Sequence, residues 1–386
     1  MPQALLTLGF RPFFILAGAT AVLSMGVWLY AGTHEFALQT YYGPVAWHSH
    51  ELLFGYAVAV IAGFLLTAVR NWTHIDTTTG PSLVALVLLW LAGRLLPLFP
   101  RLVPDILVAV ADVAFLPALA WRLAIPLVKS GQRRNLIVIL VLALMALANV
   151  TVHLQPLGIT HDTARVGIRF ALNLIILLIL IIGGRVIPFF TERAVADFSP
   201  RRHTVVEVLS IGSVVLLIIV QLVYPVSPVI AVVAGTAAGL HTLRWLGWYS
   251  PRVWSLPLLW VLHVGYAWIV VGLLLTALGH LEWVAPSVAI HALTVGGIGV
   301  LTLGMMARVS LGHTGRALTV NRPVAWSFIL LNVAALVRVL LPIVLPSGYP
   351  LWIPAAGLIW CVAFMIFVVT YAPMLWSARV DDQVEP

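Results

Sequence analysis

The sequence predicts an all-α integral membrane protein, a bundle of about twelve transmembrane helices, on three observations. Hydrophobic residues make up 62 % of the chain and charged residues 9 %, against about 25 % charged in a soluble domain. Too few ionisable groups remain to clothe a water-facing surface. Apolar runs of about 18–25 residues recur from end to end, each long enough to cross a hydrocarbon core about 30 Å thick at 1.5 Å per residue. The runs are continuous and broken by Pro, Gly and charge, whereas a transmembrane β-barrel would show short alternating segments.

In chain order the spans fall at about 13–31, 45–69, 82–99, 104–126, 134–154, 165–190, 205–224, 228–247, 254–278, 284–307, 323–345 and 350–375. The first follows Arg11 in the manner of a signal peptide, but no clean small-x-small cleavage pattern comes after it, so it reads as a span. If the helices alternate, one side receives sixteen cations: Arg11, Arg70, Arg122, Lys129, Arg133, Arg134, Arg185, Arg193, Arg201, Arg202, Arg244, Arg252, Arg308, Arg316, Arg322 and Arg379. The other side and the membrane interior keep five, Arg94, Arg101, Arg165, Arg169 and Arg338. A miscount near the middle of the chain would scramble this asymmetry, so the count of twelve and cytoplasmic N- and C-termini support each other. Trp28, Trp47, Trp72, Trp245, Trp248, Trp254, Trp283 and Trp376 sit near span ends, as headgroup-level anchors do.

The net charge of +8 lies in loops and implies no nucleic-acid partner; the partner it implies is the lipid bilayer. The single cysteine, Cys361, excludes a disulfide framework and Cys-based zinc or iron–sulfur sites, and reads as a packing residue. No linker, charge run or composition break marks a second domain and no internal repeat is evident, so residues 1–386 read as one transmembrane domain.

An ionisable side chain within a span costs about 2.5–3.5 kcal/mol on insertion scales, so those present usually face the bundle interior and mark a site. The second span opens Trp47-His48-Ser49-His50-Glu51. His48 and His50 are about 200° apart on a helix, which suits two neighbouring cofactors, or one cofactor and one structural histidine, better than a single chelate. Interfacial histidines bonded to loop backbone are the simpler alternative. Glu51 weighs against it, because a carboxylate there can orient an imidazole or relay protons. His291 lies ~10 Å into the tenth span, at a depth matching His48 and His50, and the three are candidates to converge. His241 and His263 lie ~10–14 Å from the opposite edge on antiparallel neighbours, a candidate second site. Imidazole suits haem iron and copper, while carboxylate-rich sites suit harder cations. Arg94 and Asp112 share a depth at which an ion pair would offset the cost of inserting either. Arg169 and Arg338 lack an obvious carboxylate and are candidate anchors for haem propionates, with snorkelling as the alternative for Arg169.

Four ordered motifs span nearly the whole chain: Gly9-Phe10-Arg11-Pro12-Phe13-Phe14; Trp47-His48-Ser49-His50-Glu51; Gly183-Gly184-Arg185-Val186-Ile187-Pro188-Phe189-Phe190-Thr191; and His291 through Met305, Met306 and Arg308 to Gly312-His313-Thr314-Gly315-Arg316. Together they resemble the NnrS family. The resemblance implies a multi-pass protein of the bacterial inner membrane containing haem b, with copper as a further metal, linked to denitrification and nitric oxide resistance. It favours His48, His50, His291 and His313 as ligands. His313 is expected just beyond the tenth span, in a cationic cytoplasmic loop that would serve equally as a headgroup anchor.

Three functions compete. The first is a membrane oxidoreductase that reduces nitric oxide at a His-ligated haem near the periplasmic side, with electrons from a membrane donor and protons relayed through Glu51. The second is a haem protein that senses or handles nitric oxide or a metal nitrosyl without turnover. The third is a secondary transporter, the default for a twelve-span bundle, against which the lack of an evident repeat counts modestly.

Overall fold

The computed structural model describes residues 2–33 and 39–380. Twelve helices among them are long and apolar enough to cross a membrane, each coinciding with an expected span: α1 (Phe10–Gly32), α2 (Pro44–Thr73), α3 (Gly80–Leu98), α4 (Asp105–Lys129), α5 (Arg133–His153), α6 (Thr163–Ala194), α7 (Thr204–Val223), α8 (Val229–Leu246), α9 (Pro257–His280), α10 (Pro286–His313), α11 (Arg322–Val344) and α12 (Pro346–Trp376). No strand occurs among the described residues. The chain is a multi-pass helical membrane protein.

The termini of these helices follow from local chemistry. Proline near the start of α2, α3, α9, α10 and α11 costs no intrahelical hydrogen bond. The Asn321 side chain caps α11 by accepting from the Val324 amide at 3.1 Å, and α2 ends on His74 in the left-handed region, φ 55°. Helix α10 continues to His313, so His313 occupies its last turn rather than the expected loop. Arg308, also expected there, is buried within the helix, and its guanidinium is accommodated 3.8 Å over the Phe190 ring.

The chain forms two compact units. Unit 1 comprises Met1–Leu174, Val309–Ala317 and Phe367–Pro386; unit 2 comprises Ile175–Arg308 and Leu318–Ile366. Within an 18-residue apolar stretch of each, 83 % of the residues of α2 in the first unit and 72 % of those of α10, largely in the second, are buried, against 28 % for α7, so each is the central helix of its unit.

These two helices share a construction that sequence reading overlooked. Each changes from α to π geometry immediately after a histidine: α2 after His50, over Glu51–Ala57, and α10 after His291, over Ala292–Gly299. Both also carry a leucine two, a glycine five and a glycine thirteen residues beyond that histidine: Leu52, Gly55 and Gly63, and Leu293, Gly296 and Gly304. The last glycine admits a neighbouring helix closely. A Cβ on Gly63 would meet Phe14 of α1, and one on Gly304 would meet Val261 of α9.

Candidate functional site

Unit 1 encloses a cluster of ionisable and polar side chains from four helices and one loop. His50 ends the first α-helical stretch of α2 and Glu51 opens its π turn. Gly55, inside that turn, leaves room for Arg94 of α3, since a Cβ there would lie 3.1 Å from Glu51 Oε2 and 3.2 Å from Arg94 Cδ. The Trp90 indole of α3 donates to the Gly55 carbonyl at 3.3 Å, bracing the π turn. Helix α4 supplies Asp112. Helix α5 supplies Asn149 and His153, four residues apart and so on one face. Tyr41 and Tyr42 come from the loop before α2.

The contacts converge on Asp112. Its Oδ1 accepts from Arg94 Nη2, while Arg94 Nη1 donates to Glu51 Oε1 at 2.9 Å. Asp112 Oδ2 lies 3.0 Å from His50 Nε2 and 2.9 Å from His153 Nε2, and accepts from Asn149 Nδ2 at 2.9 Å. The Tyr42 hydroxyl is 3.2 Å from His50 Nε2, 3.3 Å from His153 Nε2 and 3.4 Å from Asp112 Oδ2. His50, Glu51, Arg94, Asp112, Asn149 and His153 are all buried. A small cavity beside them is lined by Phe54, Trp90, Phe115, Arg94, Asp112 and Asn149. The expected Arg94–Asp112 ion pair is present, within a larger network.

Two carboxylates against one guanidinium leave one negative charge in a buried site, which a proton on His50 or a metal cation would balance. His50 Nε2, Asp112 Oδ2 and His153 Nε2 all lie within 4.8 Å of one another and can hold a metal ion. Bonds of 2.0–2.1 Å in a tetrahedron place ligand atoms about 3.3–3.4 Å apart, and the Tyr42 hydroxyl stands near that separation from all three. The opposite ring nitrogens fit as well. A ligating imidazole gives its other N–H to an outer acceptor; His153 Nδ1 lies 3.2 Å from the Tyr41 hydroxyl, while His50 Nδ1 lies 3.5 Å from both Glu51 Oε1 and the donor Arg94 Nη1. Two imidazoles and a carboxylate suit copper, zinc or iron(II). Burial first, then the Asp112 charge, holds the Tyr42 phenol well above its ordinary range, so it keeps its proton in the metal-free site.

The cluster fits an ion better than a haem. The His50 ring is stacked between Tyr42 and Phe54, at 4.3 and 4.8 Å, and its Nε2 points among Asp112, Asn149 and Tyr42, where no porphyrin face can approach. Sequence reasoning missed His153, Asn149, Tyr41 and Tyr42. The i, i+4 pair of Asn149 and His153 in an otherwise apolar span was the available signal for two of them.

The other expected residues are distributed as follows. His48 stacks on Trp28 at 4.4 Å, and His313 packs against Phe10, ring centroids 5.6 Å apart. Arg169 is exposed on α6 and Arg338 is buried in α11. In unit 2, His291 Nδ1 donates to the Ser287 carbonyl at 2.6 Å, which leaves Nε2 as its lone-pair nitrogen. His241 has both nitrogens engaged, Nε2 by the Ser210 carbonyl at 3.0 Å and Nδ1 by the Tyr266 hydroxyl at 2.6 Å. The His263 Nε2 lies 2.9 Å from the Thr191 hydroxyl, which itself donates to the Ile187 carbonyl. That fixes the proton on Nε2 and leaves Nδ1 a buried lone pair with no hydrogen-bond partner among the described residues.

A twelve-helix membrane bundle with a buried His/Asp/His site defines a polytopic membrane protein with a candidate metal centre. The family model described as NnrS protein matches residues 4–379, nearly the whole chain, and the protein belongs to the NnrS family. No curated protein matches it.

Proposed function

We propose that the chain is a metal-dependent protein of the bacterial inner membrane that acts on nitric oxide, with its metal centre formed by His50, Asp112 and His153. The observation that carries this reading is the convergence of three buried ligand atoms, from His50, Asp112 and His153, within 4.8 Å of one another. Family membership supports nitric oxide as the ligand. The charge asymmetry of the loops supports cytoplasmic termini. Helix α2 then enters from the periplasmic side, and the centre lies ~10 Å inward from Pro44.

The donor set favours copper, zinc or iron(II) in unit 1. A haem b would need a single imidazole lone pair, for which His263 Nδ1 is the better candidate in unit 2. With a haem or copper supplying the redox chemistry, reduction joins two molecules of nitric oxide with two electrons and two protons to give nitrous oxide and water. Within that scheme Tyr42 holds a proton beside the centre, Glu51 relays protons to it, and the apolar wall of Phe54, Trp90 and Phe115 limits the water around it.

The test is metal analysis and a reduced-minus-oxidised optical spectrum of the detergent-purified protein, followed by nitric oxide consumption with an artificial electron donor. Metal or haem with turnover supports the oxidoreductase. Metal or haem with nitric oxide binding and no turnover supports a handling or sensing role. A metal-free protein without haem bands, expressed with adequate haem and copper, leaves the transporter.

A further inference from the structure

Arg338 in unit 2 is a buried cation with no carboxylate to balance it among the described residues. It lies six residues before Val344, the end of α11, ~9 Å along the helix. Snorkelling would carry its guanidinium to the surface, yet the residue is only 8 % exposed and its Nη1 is buried without a hydrogen-bond partner. Among the described residues no carboxylate pairs with it, whereas Arg94 holds two and Arg244 one. Its aromatic neighbour is Tyr349, whose ring centroid lies 5.7 Å from the guanidinium carbon. The Tyr349 side chain also shares a hydrogen bond with the guanidinium, but a neutral phenol brings no balancing charge and leaves Nη1 without a partner. Arginine does not escape the cost by losing its proton. What the site lacks is one negative charge with an oxygen directed at Nη1.

We propose that Arg338 and Tyr349 form an anion-binding site, in which Nη1 of Arg338 holds an oxygen of a carboxylate or similar small oxyanion. The site lies in unit 2 and uses none of the residues of the His50, Asp112 and His153 centre. Its chemistry is the complement of that cluster, which carries a surplus negative charge. The carboxylate can belong to a bound cofactor, as a haem propionate does, or to a free anion.

The experiment uses the full-length protein in detergent, prepared without haem, in a buffer whose only anion is bulky and weakly binding. Sodium formate is titrated and thermal unfolding is followed. The expected result is a saturable rise in Tm for the wild type. In Arg338→Met the formate-dependent rise is lost, and the anion-free variant melts above the anion-free wild type because an uncompensated buried charge is gone. Arg338→Lys keeps the charge but not the planar fork, and its formate affinity falls about tenfold; it supplies the comparison should the methionine variant fail to fold. A haem-loaded arm separates the sources. If a propionate occupies the site, haem abolishes the formate response and haem dimethyl ester leaves it intact. If the ligand is a free anion, the response persists with either. The proposal is overturned if the wild type shows no saturable response, or if the response survives undiminished in both Arg338 variants.

Discussion

The guanidinium of Arg244 occupies the space that a side chain on Gly184 would need. Arg244 of α8 reaches across unit 2 to join three other helices. Its Nη1 donates to the Leu180 carbonyl of α6 at 3.0 Å and lies 3.4 Å from the Tyr266 hydroxyl of α9, while Nε and Nη2 donate to Glu207 of α7 at 2.9 and 2.6 Å. The second glycine of the Gly183-Gly184 motif is thus a seat for an arginine sixty residues further on.

Gly184→Ala is therefore expected to displace the guanidinium and break a buried, charged hydrogen-bond network, at a cost of about 2–4 kcal/mol. Gly183→Ala is the control, since its Cβ would meet only Ile187 at 3.6 Å, an ordinary contact. Thermal unfolding in detergent, read by loss of monodisperse protein, checks the pair. Equal losses in the two variants would refute the role given to Arg244.

In unit 1, Arg94→Met leaves Glu51 and Asp112 buried with no guanidinium and is expected to destabilise by about 3–5 kcal/mol. Adding Asp112→Asn removes one of the stranded charges and should recover part of that loss. Non-additivity of this kind in a double-mutant cycle is the signature of a directly coupled pair. Additive losses would mean that Arg94 and Asp112 act independently.

Asp112→Asn alone brings the buried charge to balance, with Glu51 against Arg94, so folding should survive it. Metal binding should not. Loss of the carboxylate or of either imidazole, as in His50→Gln and His153→Gln, is expected to weaken copper or zinc affinity at least about 100-fold. Glu51→Gln, which alters the partner of Arg94 and of the outer nitrogen of His50 but no ligand atom, should weaken it about 10–100-fold. Competition with a chelator of known affinity measures both. Unchanged affinity in the Asp112 and His153 variants would sink the metal centre.

The fold was legible because its determinants are local. Span length, the placement of charge in loops and the apolar runs are properties of contiguous sequence, and all twelve helices followed from them. The Arg94–Asp112 pair was legible too, because two buried charges of opposite sign at one depth seek each other. His153 was not. It sits at the last residue of α5, where a histidine reads as interfacial, and only the packing of α5 against α4 turns it toward Asp112. Tyr41 and Tyr42 lie outside any span, in a segment with no periodicity to interpret. The π turns escaped for a related reason: a continuous apolar run looks the same at 3.6 residues per turn as at a wider pitch, and only the shared histidine, leucine and glycine spacing of α2 and α10 hinted at them.

The loop tyrosine gives the alkaline behaviour of the metal-free protein. Burial and the Asp112 charge raise the Tyr42 phenol above its ordinary value of 10.0, so the unfolded chain loses that proton at lower pH than the folded one. Tyr42 then contributes stability that is fully present below about pH 10 and is lost as pH rises above it, by up to about 1.4 kcal/mol per unit. Tyr42→Phe removes the titration along with a hydrogen bond worth about 1 kcal/mol. The variant should accordingly melt slightly below the wild type at pH 7–8 and close the gap, or cross it, above pH 10. Tm measured from pH 7 to 11 in the presence of a chelator decides the matter. Parallel curves for the two proteins would show that the phenol ionises as readily in the folded state as in the unfolded one, and that Tyr42 is not sealed against Asp112.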